Sequence, residues 1–238
     1  MCTLTFIPKP NNGFILTSSR DEAPGRETVP PEFYILKNIK LLFPKDKLAG
    51  GSWIGASSKK RVICLLNGGF TAHEREEKYR MSRGIIVTDL LTSENITEAI
   101  KNYDFNEIEP FTIILIDFEA EVNLYELVWD GSESHFSEKP LAPQIWSSSL
   151  LYTEEVKQKR EQWFSSFLME NLKPSEEILL DFHKTAGEGN PQTDIVMDRG
   201  FVATKSITQI SKFHSNSKIL MRYEDLGTKE IINKTFEF

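Results

Sequence analysis

The sequence predicts an α+β protein, built as two antiparallel sheets packed together with helices outside them. Three observations predict this class. β-prone segments come in hairpin-like runs joined by turn residues. Helical periodicities come in two pairs that interrupt those runs. Strict strand–helix–strand alternation, the pattern of a doubly wound sheet, is missing from the sequence. No internal repeat, low-complexity stretch or Pro/Gly/Ser-rich linker divides the 238 residues, so a single domain over 1–238 is expected.

The elements follow in order. Thr3 to Pro8 and Gly13 to Thr17 are apolar and β-prone, and Asn11-Asn12-Gly13 between them is a hairpin signal. The hairpin brings Ser18-Ser19-Arg20-Asp21-Glu22 back towards the chain start. Ala23 to Pro31, with three prolines and a glycine, reads as a loop, and Phe33 to Leu36 as a short strand. Trp53 to Ala56 and Arg61 to Leu66 form a second hairpin, turning at Ser57 to Lys60. His73 to Arg80 reads as an exposed charged loop. Ile85 to Leu91 and Ile96 to Tyr103 are helical, the latter with Asn95 and Glu98 spaced as a capping box.

Phe111 to Phe118, Val122 to Trp129 and Ser134 to Ser137 read as a meander, with Asp130-Gly131 at one turn. Gln144 to Leu151 is a further strand. Thr153 caps a helix over Glu154 to Asn171, whose apolar stripe includes Val156, Trp163, Phe164, Phe167 and Leu168. Pro174-Ser175 starts another helix, to about Lys184. Gly187 to Pro191 is a loop or a flap over a pocket. Phe201 to Ile210, Ser217 to Glu224 and Ile231 to Phe238 complete the strands.

Composition narrows the function classes. Net charge is −7, whereas a chain that binds phosphate backbones usually carries a basic surplus. Lys59-Lys60-Arg61, the tightest basic run, reads as a solvated turn. No apolar run approaches membrane-spanning length, and the N-terminus lacks a signal-peptide pattern. The expectation is a cytoplasmic protein that binds no nucleic acid and does not insert stably into membranes. Two cysteines, Cys2 and Cys64, do not make a disulfide framework. His73, His135, His183 and His214 lack metal-ligand spacing, so neither metal nor cofactor is expected. Cys64, within an apolar strand, reads as a packing residue.

Cys2 carries the sharpest chemistry. Removal of Met1, which a small second residue favours, would leave thiol and α-amine on one residue. An α-amine titrates at about 7.7–8.0 and serves as a base near neutrality. A thiol is partly ionised there and strongly nucleophilic. The competing reading is a cysteine that opens a strand and packs. Arg20 suits lowering the thiol pKa or holding a substrate carboxylate, and Asp21 suits orienting the α-amine; alternatively they belong to a surface run closing a strand. Asn67, before a Gly pair, suits an oxyanion hole or simply a turn. Ser148 and Lys205 either line a site or are a polar strand end and an outward-facing lysine.

Met1-Cys2-Thr3 with Arg20-Asp21-Glu22 resembles the start of the NRDE family, which includes the transport and Golgi organization 2 proteins. Further pieces fall in the family's order: Gly50-Gly51-Ser52-Trp53-Ile54-Gly55, Leu65-Leu66-Asn67, Ser82-Arg83-Gly84, Trp146-Ser147-Ser148 and Ala203-Thr204-Lys205-Ser206. Ser19 replaces the family's Asn, and Lys205 stands where Arg is usual. The resemblance implies an N-terminal-nucleophile hydrolase fold, a four-layer αββα sandwich. It also implies kinship with cysteine amidases such as penicillin V acylase and bile salt hydrolase. On that basis Cys2 is the nucleophile, helped by Arg20, Asp21 and Asn67, with Ser148 and Lys205 roughly where the amidases place Asn and Arg. The implied ligand is a small-molecule amide, or, for a protein that binds without turnover, a lipid or haem-like molecule.

Overall fold

The computed structural model describes residues 3–213 and 218–238. The chain opens as the expected hairpin, β1 (Thr3–Lys9) and β2 (Gly13–Glu22), which pair from Lys9↔Gly13 to Thr3↔Ser19. Asn11 and Asn12 turn the chain at φ 60° and 58°, left-handed values that asparagine tolerates. β2 runs five residues beyond the expected Thr17, so Arg20 and Asp21 lie within a strand.

A second sheet follows in sequential order: β3 (Thr28–Leu36), β4 (Ile39–Asp46), β5 (Ile54–Ser57), β6 (Arg61–Asn67), β7 (Phe111–Asp117), β8 (Asn123–Trp129) and β9 (Ser134–Lys139). Helices α1 (Arg83–Thr92) and α2 (Ile96–Lys101) interrupt it, and Asn95 caps α2 by accepting from the Glu98 amide. The expected loop over Ala23 to Pro31 is too long, because β3 already begins at Thr28. Pro30 and Pro31 are accommodated at a register shift on the sheet's end strand, where a missing amide costs no ladder bond. Sequence reading missed β4, where Pro44 breaks up a short run around buried Leu41, Leu42 and Phe43.

The remaining elements return to the first sheet. They are β10 (Gln144–Ser147), α3 (Glu154–Glu170), α4 (Glu176–Thr185), β11 (Ala203–Lys212), β12 (Lys218–Asp225) and β13 (Ile231–Glu237). The first sheet runs β10-β1-β2-β11-β12-β13 among the described residues. β10 ends at Ser147 rather than Leu151, because residues 148–151 turn towards the α3 cap at Thr153. The expected strand start at Ser217 lies outside the described residues.

The chain divides into two compact units, Met1–Gly25 with Ala142–Phe236, and Arg26–Leu141 with Glu237–Phe238. In the first, strand alternation separates two faces of β1 and β2. Ile7 and Ile15 pack with Phe164, Leu179, Phe182 and Ile195, so the odd-numbered face meets the helices. That face becomes polar away from the hairpin turn, through Thr3, Thr5, Thr17, Ser19 and Asp21. In the second unit, Cys64 is fully buried in β6, as expected of a packing thiol.

Two of the family-like motifs meet in this second unit. The Ser52 amide donates to the Gly84 carbonyl at 3.2 Å, where α1 begins. A Cβ on Gly51 would lie 2.4 Å from the Gly84 carbonyl carbon and 2.6 Å from its oxygen. Both contacts are with backbone, so a shift of the helix start is required. Gly51→Ala is therefore expected to lose about 1–3 kcal/mol of stability by overpacking. Gly25→Ala, with open space around it, should stay within about 0.5 kcal/mol of the parent. Urea denaturation of both variants checks the contrast.

Candidate active site

β1 is an interior strand, and its first described residue is clasped on both sides: Thr3 pairs with Ser19 of β2 and Ser147 of β10. Cys2 lies outside the described residues and is one peptide bond from Thr3. Around this strand start the fold gathers four of the expected residues. Arg20 and Asp21 follow Ser19. Ser148 follows Ser147. Lys205 occupies the register shift between Thr204↔Asp21 and Ser206↔Arg20. Asn67 ends β6 in the second unit, half-buried.

The reading of Arg20 and Asp21 as a solvated surface run fails, since each is only 1% exposed. They are sequence neighbours on a strand, so their side chains leave opposite faces. Arg20 shares its face with Glu22, 3.7 Å away, and with the buried Ser18, Ser206 and Thr208. Asp21 points to the helix side. Its Oδ1 accepts from Thr204 Oγ1 at 2.7 Å, and its Oδ2 accepts from the Tyr152 hydroxyl. Thr204 itself accepts from the Met197 amide at 2.9 Å, which fixes its hydroxyl. Lys205 is half-buried and donates to the Pro24 carbonyl at 3.2 Å. Ser148 is buried and caps the turn into α3, accepting from the Tyr152 amide through its carbonyl at 3.1 Å.

Behind β1 and β2 lies a buried polar layer that sequence reading missed. His183 of α4 bonds Thr5 Oγ1 and Ser19 Oγ through its two ring nitrogens, both at 2.8 Å. Gln209 donates to Thr17 Oγ1 at 2.9 Å and to the Glu176 carbonyl at 3.1 Å. Arg160 of α3 donates to Thr3 Oγ1, to the Thr193 carbonyl at 3.0 and 3.2 Å, and to the Asp194 carbonyl at 2.6 Å. Its guanidinium carbon sits 3.7 Å from the Tyr152 ring centroid. The signal for Arg160 was in the sequence: it falls four residues from both Val156 and Phe164, inside the apolar stripe of α3. His183 likewise follows Leu179 by four residues on the buried face of α4.

Burial, reinforced by the nearby Arg160 cation, depresses the His183 pKa from its ordinary 6.5 to about 3. The imidazole is thus neutral in the folded protein, one nitrogen donating and the other accepting. Below about pH 6.5 the unfolded chain takes up a proton that the native state refuses, so stability falls as pH drops towards 3. Between pH 7 and pH 5 this group should remove about 2 kcal/mol. Urea titrations at the two pH values should show His183→Gln losing less stability than the parent by roughly that amount. Equal losses would contradict the assignment.

Among the described residues no group of three or more His, Cys, Asp and Glu is placed to hold a metal, and no helix is long and apolar enough to cross a membrane. The fold is that of solved N-terminal-nucleophile hydrolases. A variant of conjugated bile acid hydrolase from Clostridium perfringens superposes with TM-score 0.59 at 10% identity, covering 100% of this chain and 97% of that one. An N-acylethanolamine-hydrolyzing acid amidase ortholog from Caenorhabditis elegans gives 0.57 at 13% identity, covering 88% and 92%. Penicillin V acylase from Agrobacterium tumefaciens gives 0.55 at 11% identity, covering 98% and 85%. The predicted α+β class, with its two antiparallel sheets and helices, agrees with these neighbours. No curated protein matches the sequence significantly. A family model described as Transport and Golgi organisation 2 matches residues 1–182, and the chain belongs to that family.

Proposed function

We propose that the chain is a cysteine N-terminal-nucleophile amidohydrolase that cleaves a small, non-peptide amide once Met1 is removed. The observation that carries this reading is the strand start at Thr3. It directly follows Cys2, it is held between β2 and β10, and buried Arg20 and Asp21 come next on the paired strand.

The reaction follows from the chemistry of the groups. The Cys2 α-amine takes the thiol proton, directly or through a water, and the sulfur attacks the amide carbonyl carbon. The oxyanion of the tetrahedral intermediate needs a hydrogen-bond donor, the role that the family resemblance implies for Asn67. Collapse expels the amine, which leaves with the proton held by the α-amine, and a thioester remains on Cys2. Water, deprotonated by the same α-amine, then releases the carboxylic acid and restores the thiol. In this scheme Asp21 orients the α-amine, and Arg20 stabilises the thiolate or binds an anionic substituent. Ser148 and Lys205 line the site.

Released amine, measured across a set of N-acyl amides with the Met1-processed protein, tests the proposal. Cys2→Ala should abolish release. Asp21→Asn should lower kcat by 10-fold or more, on the scale usual for losing a positioned acid–base group. Full turnover by Cys2→Ala would remove the hydrolase reading.

A further inference from the structure

We propose that Arg160 is a positioning residue for the N-terminal nucleophile. From the helix side of the first sheet it fixes the start of β1 through Thr3, and it fixes the Asp21 carboxylate through Tyr152. The inference rests on the hydrolase reading above.

Arg160 is completely buried, and no carboxylate among the described residues pairs with it. Burying an uncompensated cation costs several kcal/mol, and a well-packed apolar side chain is commonly the more stable choice at such a place. The α3 positions one turn to either side are apolar: Val156 packs on Tyr152, Met197 and Val202, and Phe164 sits in the cluster with Ile7 and Ile15. Stability alone does not account for a guanidinium at this point of the stripe.

What the guanidinium does is specific. One nitrogen reaches the hydroxyl of Thr3, the residue next to Cys2. The others anchor on the Thr193 and Asp194 carbonyls, which fix the direction of the fork. Its face covers the Tyr152 ring at 3.7 Å, and the Tyr152 hydroxyl donates to Asp21. A cation over the ring makes that hydroxyl a stronger donor. Arg160 thus links both ends of the proposed catalytic pair, the strand that begins after Cys2 and the carboxylate that orients the amine. The surrounding titratable and charged groups are Asp21 from β2, His183 from α4, Asp194 from the 187–202 loop, and Arg199, which lies 5.3 Å from the Tyr152 ring centroid. His183 is neutral, so it adds no charge at the strand start.

The test uses the Met1-processed full chain and two chemical probes. Iodoacetamide alkylation of Cys2 between pH 5.5 and 9 reads the thiol; fully buried Cys64 provides the internal control. Reductive methylation over the same range reads the α-amine. Thr3→Val and Tyr152→Phe each delete one hydrogen bond with little change of shape, so both should fold. Arg160→Lys keeps the charge and loses the planar fork. Thr3→Val and Arg160→Lys are expected to slow Cys2 alkylation at least threefold at pH 7. Tyr152→Phe is expected to displace the methylation profile while leaving the thiol profile in place. Lower melting temperatures with profiles superimposable on the parent, in all three variants, would overturn the inference and leave the hydrolase reading standing. A parent chain whose Cys2 reacts no faster than free cysteine would overturn both.

Discussion

One buried cation organises the first unit. The Arg160 guanidinium has to be solvated by the protein itself, and its acceptors are a threonine hydroxyl, two loop carbonyls and an aromatic face. The acceptors come from three pieces of chain: β1, the 187–202 loop, and the turn before α3. Satisfying one side chain therefore fixes the relation of three segments. The same cation adds to the burial that keeps His183 neutral, and neutral His183 is what can bridge Thr5 on β1 to Ser19 on β2. The polar end of the hairpin is held together by groups that none of its own backbone ladder bonds provides.

Strand geometry explains why two adjacent charges serve different surroundings. Arg20 and Asp21 are consecutive, and the alternation of β2 sends one to each face. Asp21 enters the polar layer with Tyr152 and Thr204, whereas Arg20 shares its face with Ser18, Ser206 and Thr208. The register shift at Lys205 lets Thr204 and Ser206 face Asp21 and Arg20 respectively, with the lysine left over between them. A strand without that extra residue would put one of the two hydroxyls on the wrong side.

The sequence made much of this legible, and the failures have physical causes. The hairpin marked by Asn-Asn-Gly and the helix starts at Asn95, Thr153 and Pro174-Ser175 were readable, because turn and cap chemistry is local. The first residues of β3, Thr28 to Pro31, read as loop because Pro30 and Pro31 ordinarily break strands, and only the place of β3 at the end of the sheet tolerates them. β4 was missed because Pro44 and flanking lysines masked a three-residue apolar run. The nearness of Arg20 and Asp21 to the chain start was legible because the Asn-Asn-Gly hairpin returns β2 alongside β1. Arg160 and His183 were not foreseen, because polar residues within helical apolar stripes announce burial without announcing a partner, and Tyr152 lies in the turn before α3, where no periodicity marks it. Their partners on β1 and β2 lie 131 to 178 residues away, a separation that local patterns do not encode.

The central claim is that Cys2 forms a covalent acyl-enzyme. The most direct measurement is peptide-mapping mass spectrometry of the Met1-processed protein after exposure to a β-lactone, whose ring opening leaves a stable acyl adduct. The account predicts one adduct, on the peptide beginning at Cys2, and none on the peptide containing Cys64. No adduct, or an adduct distributed over other side chains with Cys2 unmodified, would contradict it.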